Sequence, residues 1–578
     1  MRPRSAYAAA ALALAAVAFW LPTAWYDTIP RLPGLPPLPF SGVTLLRLIC
    51  LVEALLFLLL AARQTRFVSN RTNLTALNGS PGAAYDIETA TALLILAAIT
   101  ILGLLLRTHN LGQDLWLDEI SPIVDYSRLS AAQVIGSYLR SNNHLMNTLL
   151  LKASIASFGQ SESSVRLPAV VFGVFGIPAL YWVARIGLSR IASLGAALLL
   201  ATSYHHIFFS QNARGYTAYL FFALLSSGAF LRALRGDELK YWILYIVAAT
   251  LGMASLLLMA FVLVSHAILA AALIWATRRN GVALRPVLRR LVGVFLILGL
   301  LAFQIYAAAI PEAYVTLTTV YSHASTGFSL FSSDFIREMI RGISAGFGSP
   351  IIALVFLIAG AIGFAALVAR SWPLALALVL PEVVTLAMLV SRGLTISPRF
   401  FLLAVPLAML SAVAGLAMVI DWVSARRNLP PNVVRIAWTA ALVLVTAASL
   451  KSLPYYYRTP KQPYRAAIAY TEAHGNGGPV IVIAYAATGF HYYLSRGAIA
   501  DSSRYVYVRS RAAFDSLARV PAAGTAQLVT TFQRALRIEA PTFDQELAAV
   551  WKRDTTFSAT VGDGEITVWS RRNGALPK

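Results

Sequence analysis

The stretch TATALLILAAITILGLLLRTHNLGQDLWLDE, residues 89–119, decides the class of fold. Residues 89–106 contain no charged side chain, and a run of that length is what an α-helix needs to cross the roughly 30 Å hydrocarbon core of a bilayer. The same stretch ends on two adjacent carboxylates, Asp118 and Glu119. It therefore predicts a membrane span that leads directly into an acidic loop.

Composition extends this interpretation to all 578 residues. The chain is 58% hydrophobic and only 12% charged, with a mean hydropathy of +0.68. These values exclude an ordinary soluble globule, in which about a quarter of the residues carry charge. Lys and Arg outnumber Asp and Glu by 47 to 25, a net charge of +22. In a polytopic membrane protein such an excess orients the helices, so we predict a membrane environment and no nucleic-acid partner.

The apolar runs give the predicted architecture, a polytopic α-helical membrane protein followed by a small α/β domain. Cys50 is the one cysteine, which excludes an intramolecular disulfide and any multi-cysteine metal site. Thirteen runs are long enough to be spans, at 6–25, 41–62, 89–106, 164–184, 191–209, 215–231, 241–257, 260–276, 291–309, 350–369, 372–390, 400–420 and 435–450.

The basic residues between these runs indicate the orientation. If the N-terminus is cytoplasmic, every inside loop is basic, as the positive-inside rule requires. Thirteen spans then place the C-terminus outside the cytoplasmic (inner) membrane. A cleaved signal peptide is the alternative for 6–25. Three glycosylation sequons fall in a predicted inside loop and are interpreted as chance matches, at Asn70, Asn73 and Asn78.

Three domains follow from this organisation. Residues 1–88 carry two accessory spans and a cytoplasmic linker, and residues 89–450 form the membrane core with outer loops at 107–165 and 311–349. Residues 451–578 form an extracytoplasmic α/β domain. Its elements are read from apolar runs and helical periodicity, with strands at 480–485, 505–508 and 565–569 and helices at 465–474 and 542–552.

Asp118 and Glu119 are the first candidate site. A low-dielectric membrane rim raises the pKa of a carboxyl group and makes its carboxylate a better general base. The alternative is structural, because acidic residues also favour the first turn of a helix, and one is predicted to begin near Ser121. We keep both interpretations for the pair.

A second candidate is the amide-rich segment that follows. Asn143, His144 and Asn147 share a helical face by their spacing and could bind sugar hydroxyls or a pyrophosphate-like group. A solvated cap on a surface helix is the alternative for these residues.

The third candidate is a group of arginines at predicted outer boundaries. Arg214, with Gln211 and Tyr216 beside it, suits a bidentate contact to a lipid phosphate. Arg392 and Arg399 flank the start of another span, where an anion site is also plausible. Side chains that merely extend to the interface are the alternative. Possible edges of a site in the second outer loop are His323, Asp334, Arg337, Glu338 and Arg341.

Five motifs occur in the order found in one enzyme superfamily. They begin at residues 115, 141, 161, 210 and 397 and read LWLDE, SNNHLMNTLLLK, SESSVRLPAVVFG, SQNARGYTAY and SPRFF. The chain resembles the GT-C membrane glycosyltransferases, in particular glycosyltransferase family 39, over residues 89–450. The tail, with KQPYRAAIAY and VIVIAYAATGFHYYL, is similar to the extracytoplasmic domain of that family.

The resemblance implies an inverting transfer of a sugar from a polyprenyl-phosphate donor to an acceptor hydroxyl. It makes Asp118 the general base, with Glu119 the acid beside it, and gives Arg214 and Arg399 contacts with the donor phosphate. Arg392 joins them as a further cation at the outer rim. Asn143, His144, Gln211 and Tyr216 are the predicted substrate-binding residues. The acceptor is a glycan, a lipid or a protein.

The sequence departs from the family at Asn143-His144-Leu145, where many relatives have His-Pro-Pro or Lys-Pro-Pro. No metal cluster or certain cofactor is predicted, although a divalent ion near Asp118, Glu119 and His144 is kept as an alternative. A transporter or flippase of a polyprenyl-linked glycan is the alternative function, because interfacial arginines also suit lipid movement. A non-catalytic subunit on a transferase fold is a third possibility.

Overall fold

The computed structural model describes most of the chain. The described residues are 3–23, 35–62, 85–138, 143–278, 284–319, 336–337, 340–342, 344, 350–392, 396–497, 502–508, 526–539 and 542–572. They fall into two compact units. We call residues 1–108, 129–157 and 166–452 the helical unit, and residues 109–128, 158–165 and 453–578 the α/β unit. The α/β unit thus includes two segments of the predicted outer loop 107–165.

Helices make up most of the described residues up to position 450. They run over Pro3–Trp20, Gly42–Ala62, Thr89–Thr108, Leu117–Tyr126, Ala131–Gly136, Leu145–Phe158, Glu162–Ala184, Arg190–Thr202, Tyr204–Ser210, Tyr216–Gly236, Leu239–Ser255, Met259–Thr277, Leu284–Tyr306, Ile310–Thr319, Pro350–Ser391, Ala404–Arg427 and Pro431–Leu450. A short 3₁₀ turn lies at Pro398–Phe401. Within the described residues, each of the thirteen predicted spans overlaps a helix over most of its length.

Within the described residues, nine helices are long and apolar enough to cross a membrane. A tenth results if Arg190–Thr202 and Tyr204–Ser210, which meet at an angle of 58°, form one broken span. The count is below thirteen because 350–369 and 372–390 lie in one helical segment broken at Ser371. In addition, the helices at the first and seventh predicted spans are short. A multi-pass membrane protein is confirmed.

The helix Tyr216–Gly236 is the most buried of the candidate spans. Of the 18-residue apolar stretch that would cross the membrane, 83% is buried. Small residues along it allow neighbouring helices to approach closely. Gly363 and Gly415 serve the same purpose between two later helices. A Cβ atom on Gly363 would lie 1.9 Å from the carbonyl oxygen of Ser411, so only glycine fits there.

The described residues of the α/β unit form five strands: β1 (Val480–Ile483), β2 (Tyr505–Val508), β3 (Gln527–Thr530), β4 (Trp551–Phe557) and β5 (Ile566–Arg571). They make one mixed sheet in the order β2-β1-β3-β5-β4. β1 pairs in parallel with β2 and β3, whereas β5 runs antiparallel to β3 and β4. Helices lie at Leu453–Arg458, Tyr464–His474, Tyr485–Leu494, Gln533–Glu539 and Phe543–Val550.

The predicted fold class, helical membrane core plus α/β domain, is confirmed. Several details of the tail differ from prediction, including the unpredicted helices Leu453–Arg458, Tyr485–Leu494 and Gln533–Glu539. The first strand ends at Ile483, since a helix begins at Tyr485; the helix predicted at 542–552 ends at Val550; and β3 and β4 were not predicted. The sequons at Asn70, Asn73 and Asn78, the residues His323, Asp334 and Glu338, and most of loop 311–349 lie outside the described residues.

Candidate functional site

The predicted acidic pair lies in the α/β unit. We call Asp114–Glu119 the acid loop. Its last three residues, 117–119, form the first turn of the helix Leu117–Tyr126. Glu119 folds back onto the start of this helix, and its Oε2 accepts a hydrogen bond of 3.2 Å from the Trp116 N–H. The Asp118 side chain, by contrast, is only half-buried in the first turn. The structural alternative kept for the pair therefore applies to Glu119.

Glu119 is also part of a buried ion pair. Its Oε1 lies 3.6 Å from Nζ of Lys461, and the two side chains are 0% and 2% exposed. A buried carboxylate without a nearby cation is costly, so Lys461 is needed where Glu119 is ionised. Both oxygens of Glu119 thus have partners in the chain, which makes it a residue that holds the loop.

Asp114 anchors the other end of the acid loop. Its carboxylate accepts a hydrogen bond from the Arg465 backbone N–H at 2.8 Å and forms an ion pair with the Arg465 guanidinium at 3.1 Å. Arg465 also pairs with Glu162. Burial, together with the negative charges of Asp114 and Asp118, raises the pKa of Tyr464, so this phenol stays protonated.

The predicted His144 and Arg214 come together in the helical unit. Gly215 N–H donates to Nδ1 of His144 at 2.9 Å, and Nη2 of Arg214 lies 3.0 Å from its Nε2. The imidazole is edge-on to Tyr216, with ring centroids 5.4 Å apart. We call His144, Arg214, Gly215 and Tyr216 the imidazole cluster. Gly215 is required sterically, because a Cβ atom there would lie 2.5 Å from the Ser255 carbonyl oxygen.

The His144 ring faces two donors. A neutral imidazole offers one lone pair and one N–H, but Gly215 N–H lies at Nδ1 and the Arg214 guanidinium at Nε2. If Nδ1 accepts from Gly215, the Nε2–H group and an Arg214 N–H lie side by side. Burial, then the charges of Arg214 and Arg399, lower the pKa of His144 well below its usual range, so the ring stays neutral. An anionic oxygen is a group that would accept from both of these neighbouring N–H groups.

The amide side chains of this region support the backbone. Asn143 Nδ2 donates to the carbonyls of Val134 and Ser137, each at 3.2 Å, and its Oδ1 accepts from Thr148. This arrangement favours the helix-cap alternative for Asn143. Gln211 Nε2 likewise donates to the Arg107 carbonyl at 2.9 Å. Both residues hold the segments that carry His144 and Arg214.

The two remaining arginines differ from one another. Arg399 lies in the 3₁₀ turn Pro398–Phe401, is half-buried, and its charge acts on His144. Arg392 is exposed, just beyond the helix that ends at Ser391. The charge of Arg399 therefore contributes to the positive potential at the imidazole cluster. Arg392 fits the alternative of a side chain that merely extends to the membrane interface.

Arg107 is a residue that the sequence analysis did not single out. It is fully buried and donates to the carbonyls of Gly103, Leu200 and Ala201 at 2.9 to 3.1 Å. The latter two belong to the end of Arg190–Thr202, where the bent pair breaks and carbonyls lose their helical partners. An arginine at a predicted outer boundary was the available signal, as it was for Arg214. Lys461 was also missed as a site residue.

A divalent ion is not supported at the acid loop. Among the described residues, no three His, Cys, Asp or Glu side chains are grouped as metal ligands. Glu119 is engaged by a backbone N–H and by Lys461, so its oxygens are poor candidates for a first ligand.

Comparison with known proteins agrees with the motifs. Residues 143–306 match the family described as dolichyl-phosphate-mannose-protein mannosyltransferase. The matched segment contains His144, Gln211, Arg214 and Tyr216 but not Asp118. This match confirms the resemblance to GT-C membrane glycosyltransferases. No curated protein sequence is significantly similar to the chain.

Solved structures that resemble the fold of this chain include ArnT from Cupriavidus metallidurans in the apo state. The TM-score is 0.46 and the sequence identity is 14%, and the alignment covers 85% of this chain and 100% of ArnT. ArnT bound to undecaprenyl phosphate gives a TM-score of 0.45 with the same identity and coverage. AglB from Archaeoglobus fulgidus, in complex with an inhibitory peptide and a dolichol-phosphate, gives 0.47 and 13% over 84% and 75%. Likeness at this level carries no information on activity.

Proposed function

We propose that the chain is an inverting glycosyltransferase that moves a sugar from a polyprenyl-phosphate donor to an acceptor hydroxyl at the outer face of the cytoplasmic membrane. The observation that carries this proposal is the imidazole cluster. It lies within the segment that matches a family described as dolichyl-phosphate-mannose-protein mannosyltransferase, and it places the Arg214 guanidinium beside the His144 ring, where both could donate to a phosphate oxygen.

The donor phosphate is assigned to Arg214, His144 and Arg399. When the sugar leaves, the polyprenyl phosphate gains negative charge, and preorganised cationic donors stabilise that charge in the transition state. Because the His144 pKa is depressed, the ring acts as a neutral N–H donor beside the two permanent cations. Tyr216 borders the His144 ring and Arg214, with the guanidinium 5.7 Å from its ring centroid.

Asp118 is assigned the role of general base. Its carboxylate takes the proton of the acceptor hydroxyl as that oxygen attacks the anomeric carbon. The bond between this carbon and the phosphate oxygen breaks, and polyprenyl phosphate leaves with the electron pair. One displacement inverts the anomeric configuration. Glu119, with its cap and ion pair, holds Asp118 in position rather than exchanging protons.

Two variants test these roles. Asp118→Asn is expected to abolish transfer, because a positioned base contributes about 10² to 10⁴-fold, and to bind undecaprenyl phosphate normally. Arg214→Gln is expected to weaken binding of that probe. The measurements are lipid binding to the purified protein, and mass spectrometry of lipid-linked sugars and envelope glycans in a deletion strain carrying each variant. Full transfer by Asp118→Asn would refute the assigned base.

The same strain separates the transferase from the alternative flippase. Loss of a transferase leaves its polyprenyl-phosphate sugar to accumulate on the outer face while one glycan, lipid or protein loses that sugar. Loss of a flippase leaves the lipid-linked sugar on the inner face. Accessibility of the accumulated lipid to a membrane-impermeant oxidant distinguishes the two outcomes, and the molecule that loses the sugar identifies the acceptor.

Orientation is inferred from charge. Basic residues mark the helix ends at predicted inside loops, as the positive-inside rule requires: Arg185, Arg190, Arg232, Arg235, Arg278, Arg285, Arg426 and Arg427. The predicted outer boundaries carry fewer, among them Arg107, Arg214, Arg392 and Arg399. Cys50 is the one cysteine and is buried, so single reporter cysteines are readily placed. In intact cells an impermeant maleimide should label Lys552→Cys in the α/β unit but not Arg427→Cys. The reverse pattern would contradict the proposed orientation.

A further inference from the structure

The segment Lys461–Gln462 of the tail lies against the acid loop within the α/β unit. Backbone hydrogen bonds from Thr560 to the Pro460 carbonyl at 3.0 Å and from Val561 to the Lys461 carbonyl at 3.4 Å fix its course. The segment meets the sheet through Thr531, the residue after β3. In open α/β sheets this edge, beyond the carboxyl ends of the parallel strands, is where ligands bind. Here the chain's own acid loop is held there.

Gln462 links the sheet to the start of the helix Leu117–Tyr126. Its Oε1 accepts from the Leu117 N–H at 2.7 Å and from the Tyr464 hydroxyl at 3.1 Å, and its Nε2 donates to Thr531 at 3.2 Å. The first N–H groups of a helix have no partner within the helix. A fully buried glutamine from more than 340 residues away along the chain therefore completes this helix.

Lys461 and two further tail residues hold the rest of the loop. Lys461 pairs with Glu119, the Tyr493 hydroxyl accepts from the Leu115 N–H at 2.7 Å, and the Arg465 N–H donates to Asp114. Positions 114, 115, 117 and 119 of the acid loop are thus each held by a different tail residue. Asp118 lies within this stretch, so its geometry depends on these contacts.

We propose that Lys461 and Gln462 are positioning residues for Asp118, and that the tail of the α/β unit fixes the geometry of the acid loop that carries this base. The inference rests on the proposed function, because it assumes that Asp118 is the base. Misplacement of a reacting group by about 1 Å costs about 10²-fold in rate. Loosening the loop should therefore slow transfer without weakening donor binding.

The test compares Lys461→Met and Gln462→Met with Arg504→Met. Arg504 pairs with Glu472 at 3.2 Å in the same unit and contacts no residue of the acid loop in the described hydrogen bonds. Transfer per mole of folded protein is measured in membranes of the deletion strain, together with affinity for undecaprenyl phosphate and the thermal midpoint. We expect the first two variants to lose at least about tenfold in transfer, with affinity within about twofold, and Arg504→Met to lose only thermal stability.

A double-mutant cycle on the ion pair of Glu119 and Lys461 gives a second test. Glu119→Gln and Lys461→Met remove the same contact, so their effects on transfer should not add in the double variant. Removing both charges should also restore thermal stability that either single change loses, since no unpaired buried charge remains. Lys461→Arg keeps the charge and is expected to restore transfer in part, which keeps the test decisive where Lys461→Met does not fold.

Two results would overturn the positioning role. One is wild-type transfer in both Lys461→Met and Gln462→Met, and the other is a loss in Arg504→Met that matches theirs, since the effect would then be general destabilisation. If Asp118→Asn is itself fully active, the proposed function fails. If Asp118→Asn is inactive while both tail variants are fully active, only the present inference fails.

Discussion

Two regions of the molecule, one in each unit, hold buried charge in opposite ways. In the helical unit the buried cations Arg107 and Arg214 face backbone carbonyls and imidazole rings. At the acid loop the acids Asp114 and Glu119 face the cations Arg465 and Lys461. An arginine bonded to neutral groups keeps its positive field, whereas a paired carboxylate is largely neutralised. The imidazole cluster is thus suited to attract an anion, and the ion pairs of the acid loop are suited to hold that loop.

The difference also explains why neighbouring acids can have separate roles. The charge of Glu119 is neutralised by Lys461, and its carboxylate caps the start of the helix. The half-buried Asp118 lies in the same helix turn. A rigid neighbour holds a base in place with little entropy cost. The four predictions below test the comparison, starting with the largest expected effect.

Arg107→Met should destabilise the helical unit most. It removes the donor from the carbonyls of Leu200 and Ala201 at the break of the bent pair, and each unsatisfied buried group costs about 1 to 3 kcal/mol. We expect a loss of about 3 to 5 kcal/mol, seen as a lower thermal midpoint in detergent. Arg235→Met, at an exposed helix end, is the control. Equal midpoints for the two variants would show that Arg107 is not structural.

Arg214→Lys should weaken binding of undecaprenyl phosphate by about 10 to 100-fold, because hydrogen bonds to a charged group contribute about 1.5 to 3 kcal/mol and lysine lacks the planar fork. Titration of the purified protein with the lipid measures this. Arg392→Lys, at the exposed position, is expected to have the smaller effect. The opposite ranking would move the phosphate site away from the imidazole cluster.

His144 should make stability depend on pH. Its pKa is depressed in the folded protein and about 6.5 when unfolded. Below pH 6.5 the unfolded chain binds a proton that the folded chain does not, so the free energy of unfolding falls by up to about 1.4 kcal/mol per pH unit. Thermal midpoints at pH 7.5 and 5.5 should therefore differ less in His144→Gln than in the wild type. An identical acid loss in both proteins would contradict this.

Arg465→Met should have the smallest effect. Its side chain is 51% exposed, and ion pairs of that exposure contribute about 0.2 to 1 kcal/mol. The backbone N–H that donates to Asp114 is unchanged by the substitution. Thermal unfolding should show a shift of that size, reduced further at high salt. A loss of several kcal/mol would mean that the acid loop depends on this guanidinium.

Much of the fold could be predicted because its signals are local. Each of the thirteen apolar runs overlaps a helix in the described residues, and β1 and β2 were found from their apolar, β-branched residues. β3 was missed since QLVT is too short to show alternation. β4 was missed because its first residues continue the helical pattern of residues 543–550. The break at Ser371 inside one helical segment is a tertiary feature with no local signal.

The candidate site was predictable in part. His144 and Arg214 were named from residue type and position, and their contact adds a geometry that spacing does not contain. The role of Glu119 was left open between base and cap, and Lys461 was not named at all. Their ion pair joins positions far apart in sequence. Hydrophobic periodicity does not show which distant residues meet in space, so the sequence could not pair Glu119 with Lys461.

The sequence by itself determined that this is a polytopic membrane protein with an α/β tail and the motifs of a membrane glycosyltransferase. Hydrophobic length and composition suffice for this, since every apolar run must find an apolar environment. Only the tertiary structure decided that Glu119 is neutralised by Lys461 and that one imidazole faces two donors. Such pairings depend on which buried groups the folded chain brings within hydrogen-bonding distance.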